Sequence, residues 1–247
     1  MVEIEVDVTY WTKEELAERL EALNVRTAVF DCDGTLWSGD SGYGFMLWSM
    51  EQGLISREMS DWMDARHRAY ESGEVSEAQI CGEMVQVYAG LREEEIGKAA
   101  EMFVERHVRR HHFAEMESIV ALLQARGAEL WAVSSTNRWV IEAGVKAFGI
   151  PAKNVLAASV RAVEGRLTEE LVDVPTGAAK ATALRHVQIS APDAVFGNSV
   201  HDAAMLEMSR LPVPVNASAG LRSICAERGW RIFQPAKAVG SEDIVRE

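Results

Sequence analysis

Three short apolar segments constrain this chain more than any other feature. Thr27-Ala28-Val29-Phe30 runs straight into Asp31, Leu130-Trp131-Ala132-Val133 stops at Ser134, and Ala194-Val195-Phe196 stops at Gly197-Asn198. Brief runs that are apolar throughout predict buried strands, and the segments between them carry helical spacing. Glu117 to Arg126 is predicted helical and ended by Gly127, Val140 to Phe148 is closed by Gly149 and Pro151, and Ala178 to His186 forms another helix. A strand from Val155 to Val163 turns through Gly165-Arg166-Leu167-Thr168 as a hairpin. A short helix holds Met205 to Met208, and Pro212 to Val215 is a last strand. Alternating strands and helices imply an α/β fold, a doubly wound parallel sheet covered on both faces. Ligands of such sheets bind beyond the carboxyl ends of the strands, which gathers Asp31, Ser134 and Asn198 into one site.

The region 38–113 reads differently. Tyr43 to Met50, a stretch N-capped by Ser56 with Met59, Trp62 and Met63, a stretch opened by a Ser76-Glu77-Ala78-Gln79 capping box, and Leu91 to His107 are all helical patterns, punctuated by Gly53, Gly73 and Gly90. The expected organisation is a core of 24–37 plus 114–235, a strand-free four-helix insert at 38–113, and an N-terminal helical extension, 1–23, whose helix starts at Thr12.

Composition narrows the partners. Lysine plus arginine number 25 against 38 acidic residues, a formal charge of −13, which repels nucleic acid and anionic membrane surfaces. A phosphate site on such a chain must be made locally positive. No apolar run approaches the ~18 residues of a transmembrane helix. Met1 to Asp7 lacks the basic start of a secretory signal. The three scattered cysteines, Cys32, Cys81 and Cys225, read as reduced thiols of a cytoplasmic protein.

Chemistry concentrates in four segments. In Asp31-Cys32-Asp33-Gly34-Thr35, two carboxylates two apart on extended chain point to one side, and suit hard-metal binding or acid/base work. Ser134-Ser135-Thr136-Asn137 puts hydroxyls and main-chain N–H groups between a strand and a helix, an anion-binding arrangement or an ordinary cap. Lys180 stands at a helix start, an unfavourable place for a cation unless it meets an anion. Asn198 and Asp202 offer an amide oxygen and a carboxylate to a hard cation or its waters.

These four segments, in this order, resemble the haloacid dehalogenase superfamily in its phosphoserine phosphatase-like branch, across about 27–225. The resemblance implies a Mg2+-dependent phosphomonoesterase acting through an aspartyl-phosphate on a small-molecule phosphate ester. It makes Asp31 the nucleophile and a magnesium ligand. Asp33 becomes the general acid/base, its carbonyl also on the metal. Ser134 and Ser135 hold phosphate, Lys180 stabilises the phosphoryl charge, Asn198 and Asp202 complete the metal site, and 38–113 is a helical cap. Asn198 and Ser199 depart from the family's aspartate and glycine, which predicts weaker magnesium binding. Asp40, nine residues beyond Asp31, matches the acidic residue placed near a substrate amine, and reads equally well as a helix cap.

Other readings remain beside this one. Phosphoryl transfer or carbon–halogen hydrolysis would use the same aspartate, although a halide leaving group has no need of Asp33. A non-catalytic binding protein could keep the fold. Trp37, Tyr43, Trp48 and Trp62 either line the cap pocket or, the favoured reading, pack the bundle. Arg57, Arg66 and Arg68 are candidate partners for a substrate carboxylate. His111-His112 reads as a solvated pair, and His201 has either a substrate or a packing role.

Overall fold

The computed structural model describes residues 8–236, except the side chains of Ser60 and Glu71. The expectation for Met1 to Asp7 lies outside the described residues. In chain order the elements begin with β1 (Tyr10–Trp11), α1 (Lys13–Leu23) and β2 (Thr27–Phe30). Four helices follow: α2 (Ser41–Glu51), α3 (Arg57–Glu71), α4 (Glu77–Gln86) and α5 (Glu93–Phe103). A π-helical turn, Val104–Val108, and a tight turn, Arg109–His111, return the chain to α6 (Ala114–Ala125). Then come β3 (Glu129–Asn137), α7 (Arg138–Val145), β4 (Val155–Val163), β5 (Arg166–Asp173) and α8 (Ala178–His186). The described chain closes with β6 (Ala194–Gly197), α9 (Ala203–Leu206), β7 (Leu211–Pro214), α10 (Ala219–Arg228) and β8 (Ile232–Phe233).

The main sheet has the order β5-β4-β3-β2-β6-β7, all parallel except the antiparallel edge strand β5. β2 is first in sequence; later strands add on its β3 side and then on its β6 side. The order therefore reverses at β2, where a crevice opens beyond the strand ends. In register, Phe30 lies beside both Ala132 and Phe196, so the three predicted strand ends share one rim. The apolar continuity of β2 follows from burial on both faces: Ala28 and Phe30 join one core cluster and Val29 the other, with Val133, Val195 and Leu221. Phe30 and Phe196 stack across neighbouring strands with centroids 4.5 Å apart.

Several expectations are corrected in detail. β3 does not stop at Ser134 but continues to Asn137, its register to β4 shifting between Ser134 and Asn137. Asn137 then caps α7 through Val140 N. β5 is a full strand of the sheet rather than a short hairpin return. The capping box at Ser76 is half formed: Ser76 accepts from Gln79 N, while the Gln79 side chain donates to Glu83. β1 and β8 pair in a parallel ribbon that the sequence did not suggest. His111 and His112 are not solvated: His111 is buried with its ring 3.3 Å from the Ser38 hydroxyl, and His112 stacks on Trp37 and packs against Phe148.

No strand lies between β2 and α6 among the described residues. The insert is docked on the core, α4 against β3, β4 and β5, and α5 against α7. Of the four aromatic residues singled out, Trp37 and Trp48 are buried in the core cluster, Tyr43 stacks on His67, and Trp62 is exposed. None lines the pocket below.

Candidate active site

A cavity of about 460 Å³ lies between the sheet rim and the insert, lined by residues of both. Asp31 enters it from the end of β2, where its N–H continues the ladder by donating to Phe196 O at 2.9 Å. Its side chain is 7% exposed. Lys180 Nζ donates to Asp31 Oδ1 at 2.7 Å and to Asp202 Oδ1 at 2.6 Å, and Thr35 Oγ1 donates to Asp31 Oδ2 at 2.8 Å. The misfit of a lysine in the first turn of α8 is thus resolved by two carboxylates. All three groups are buried, so the triad is strongly coupled. Burial by itself would lower the Lys180 pKa; Asp202 and Asp31 outweigh it and raise it, so the ammonium stays charged. One cation then serves two carboxylates. Burial, followed by the neighbouring charge of Asp202, pushes Asp31 up to about 7.

Asp202 Oδ2 accepts from Asn198 N at 2.8 Å and Ser199 N at 2.9 Å, with the Ser199 hydroxyl at 3.3 Å. Oδ2 is thus engaged in holding the turn that presents Asn198, while Oδ1 is taken by Lys180. The Asn198 amide lies against Gly34: a Cβ there would stand 1.9 Å from Nδ2, and Gly34 adopts φ +77°. Only glycine meets both demands. In the Asp33–Trp37 turn, the main-chain N–H groups of Thr35, Leu36 and Trp37 all donate to the Cys32 carbonyl, and none to the Asp33 carbonyl.

That donor set decides the fit to a cation. Among the described residues no three His, Cys, Asp or Glu side chains gather at one point. What lines the crevice instead is Asp31, Asp33 and Asn198, whose oxygens are carboxylate, main-chain carbonyl and side-chain amide. These are hard neutral and anionic oxygens, suited to a small divalent ion that keeps several waters. Magnesium fits these residues.

Asp33 is tied by three donors. Trp37 Nε1 at 2.6 Å and Ser41 N at 2.9 Å reach Oδ1, and Thr136 Oγ1 at 2.7 Å reaches Oδ2. Ser41 opens α2 of the insert and Thr136 lies at the penultimate position of β3, so both halves of the molecule hold this carboxylate. They meet closely: a Cβ on Gly42 would stand 2.8 Å from the Thr136 hydroxyl.

Ser134 and Ser135 both line the cavity, as expected. The Ser134 hydroxyl accepts from Thr136 N at 3.2 Å. Asp40 also lines it, and caps α2 by accepting from Tyr43 N at 2.9 Å, so the helix-cap reading holds for a residue that also borders the cavity. Burial, and then Asp33, push the Asp40 carboxyl up to about 6.

Five contributors escaped sequence reasoning. Thr35 and Thr136 lay inside the quoted motifs but carried no signal of their hydrogen bonds. His67 and Tyr70, one turn apart on α3, face the cavity by helical spacing alone. Glu77 was visible only as a helix-start residue; it forms an ion pair with His201 across the gap between insert and core, with the Ser135 hydroxyl 3.4 Å away. The hydrogen bond that the His201 imidazolium donates to Glu77 raises the His201 pKa. The three arginines stay outside: Arg66 is bound through Nε and Nη2 to Glu83, both at 2.8 Å, and Arg57 and Arg68 are exposed.

The family model for haloacid dehalogenase-like hydrolases matches residues 28–207, and the chain belongs to that family. Among its relatives is a histidinol-phosphatase of Neisseria meningitidis serogroup C (strain 8013), 24% identical over 217 residues, covering 83% of this chain and 97% of that one. Similar solved structures include a protein of unknown function from Bordetella pertussis Tohama I, with TM-score 0.76 and 24% identity over 85% of this chain and 98% of that one. A substrate-bound phosphoserine phosphatase aligns with TM-score 0.58 and 16% identity, over 87% and 95% of the two chains. The chain is a hydrolase of the phosphatase type. No described helix is long and apolar enough to cross a membrane.

Proposed function

We propose that this protein is a magnesium-dependent phosphomonoesterase in which Asp31 is the nucleophile, acting on a small phosphate ester with a cationic leaving group. The observation that carries the reading is the buried Lys180–Asp31 contact at 2.7 Å, at the rim of a cavity that also holds Asp33. A carboxylate attacking a phosphate dianion faces repulsion; Lys180 offsets part of it and holds charge in the transition state. Asp31 Oδ1 and Oδ2 each accept one hydrogen bond from the protein, which leaves a lone pair on each for attack. Bound magnesium, held by Asp31, the Asp33 carbonyl and Asn198, would supply further charge neutralisation, with Asp202 acting at one remove by fixing the Asn198 turn. Ser134 and Ser135 bind the phosphoryl oxygens.

Attack forms a phosphorus–oxygen bond to Asp31 and breaks the ester bond, and the alcohol leaves with a proton from Asp33. The proton belongs on Oδ2. Oδ1 takes two obligate donors, an indole N–H and a main-chain N–H, whereas the Thr136 hydroxyl at Oδ2 can turn from donor to acceptor. In the second half Asp33, now ionised, takes a proton from water, which hydrolyses the aspartyl-phosphate. The insert, 38–113, acts as a cap that limits bulk water and reads the alcohol. The relative named histidinol-phosphatase supports an amine-bearing alcohol, and makes histidinol phosphate a first substrate to try.

The test is phosphate release from p-nitrophenyl phosphate and histidinol phosphate, with and without magnesium. Magnesium-dependent release from either is expected. No release from any phosphomonoester would leave the binding-protein reading in its place.

A further inference from the structure

We propose that the cavity selects phosphoesters whose alcohol bears a cation and no carboxylate, with Asp40 reading the cation and the Glu77–His201 pair withholding the imidazole that a carboxylate would need. The inference rests on the phosphatase reading and specifies its substrate class.

Charge in the cavity carries the argument. Its described lining includes the carboxylates of Asp31, Asp33, Asp40 and Glu77, and its cation-capable groups are Lys180, His67 and His201. Each of these already faces a carboxylate. Lys180 is held between Asp31 and Asp202, His201 is ion-paired with Glu77, and His67 lies beside Asp40. On α3, His67 and Tyr70 point into the cavity, while the guanidinium of Arg66 is clamped to Glu83 outside it. A magnesium ion would offset Asp31 and Asp33, but not the carboxylates on the insert. An alcohol carrying a carboxylate would therefore meet Asp40 and Glu77 without a free partner, whereas an ammonium group would meet complementary charge. The apolar side chains of Ile80 and Met84 complete that wall and accept the carbon skeleton.

The experiment compares kcat/KM for O-phosphoethanolamine, ethyl phosphate, O-phospho-L-serine and p-nitrophenyl phosphate in wild type, Asp40→Asn and Glu77→Gln. Asparagine remains a good helix cap, so Asp40→Asn keeps the start of α2. In wild type, O-phosphoethanolamine is expected to exceed both ethyl phosphate and phosphoserine by about tenfold, equivalent to roughly 1.4 kcal/mol. Asp40→Asn should bring the phosphoethanolamine to ethyl phosphate ratio toward one. Glu77→Gln frees His201 and should raise phosphoserine relative to phosphoethanolamine by severalfold. Phosphoserine turned over as well as phosphoethanolamine by wild type, or ratios unmoved in both variants, overturns the proposal while p-nitrophenyl phosphate turnover keeps the phosphatase reading intact. No turnover of any of the four esters contradicts that reading, and this inference with it.

Discussion

The indole of Trp37 donates to Asp33 Oδ1 at 2.6 Å from a fully buried position at the point where the chain leaves the core. Trp37 also bridges to His112, where the chain returns, and Ser38 N donates to His111 O beside it. Both crossings between sheet and insert therefore meet at a residue that holds the proposed acid/base. The docking of the insert and the placement of Asp33 therefore share one residue, Trp37.

This coupling predicts distinct effects for the donors of Asp33. Thr136→Val removes the one partner that can follow a proton at Oδ2, and kcat should fall by about ten- to a hundredfold, within the range of acid/base contributions. Melting temperature should change little, because Thr136 is only partly buried. Trp37→Phe should lower both kcat and stability, since it deletes buried volume as well as a donor. Steady-state kinetics with thermal unfolding separates the two; unchanged kcat in Thr136→Val would remove Thr136 from the mechanism.

Magnesium dependence should track the Gly34–Asn198 contact. Gly34→Ala puts a methyl group where the Asn198 amide lies and strains a residue at φ +77°, so the magnesium concentration for half-maximal rate should rise about tenfold or more. Asn198→Asp, which adds a charge, should lower it, and Asn198→Ala should raise it most. A magnesium titration in which Asn198→Ala matches wild type would exclude Asn198 as a ligand.

How much of this was legible beforehand depends on range. Asp31, Ser134 and Asn198 could be grouped because short apolar runs announce parallel strands, and the ends of neighbouring parallel strands share a rim whatever their loops do. The role of Asp202 was half legible. Its spacing from Asn198 showed that the two meet, but not that both its oxygens are taken, by the turn and by Lys180. The Thr136–Asp33 contact was not legible because it depends on β3 running past Ser134, and the Glu77–His201 contact because it depends on how the insert docks, which no local pattern encodes. The solvated reading of His111-His112 failed for the same reason: the crossing segments fold into the core instead of standing on its surface.

Lys180 should matter to stability as well as to rate. Lys180→Met leaves two buried carboxylates without their cation, a change that costs about 3–5 kcal/mol and on the order of 10 °C in melting temperature for a chain of this size. Adding Asp31→Asn to Lys180→Met should restore part of that loss by removing the repulsion. Differential scanning calorimetry of the single and double variants checks this; additive losses would contradict the triad.

The Glu77–His201 pair should give stability a defined pH dependence. His201 gains its partner on folding, so its folded pKa lies above the ordinary 6.5. The stabilisation is then fully present below pH 6.5 and is lost as pH rises through the raised value. The melting-temperature difference between wild type and Glu77→Gln should be larger at pH 6 than at pH 9. A difference that grows with pH would reverse the sign and refute the pairing.

The central claim is that Asp31 becomes phosphorylated during turnover. Wild-type enzyme mixed with a turned-over phosphoester, quenched in acid and reduced with borohydride should yield a peptide with homoserine in place of Asp31, because borohydride reduces an acyl-phosphate but not a free carboxylate. Mass spectrometry of the digest should find that change at Asp31 alone, and not in enzyme lacking substrate. Homoserine at another carboxylate, or at none while phosphate is being released, would contradict the account.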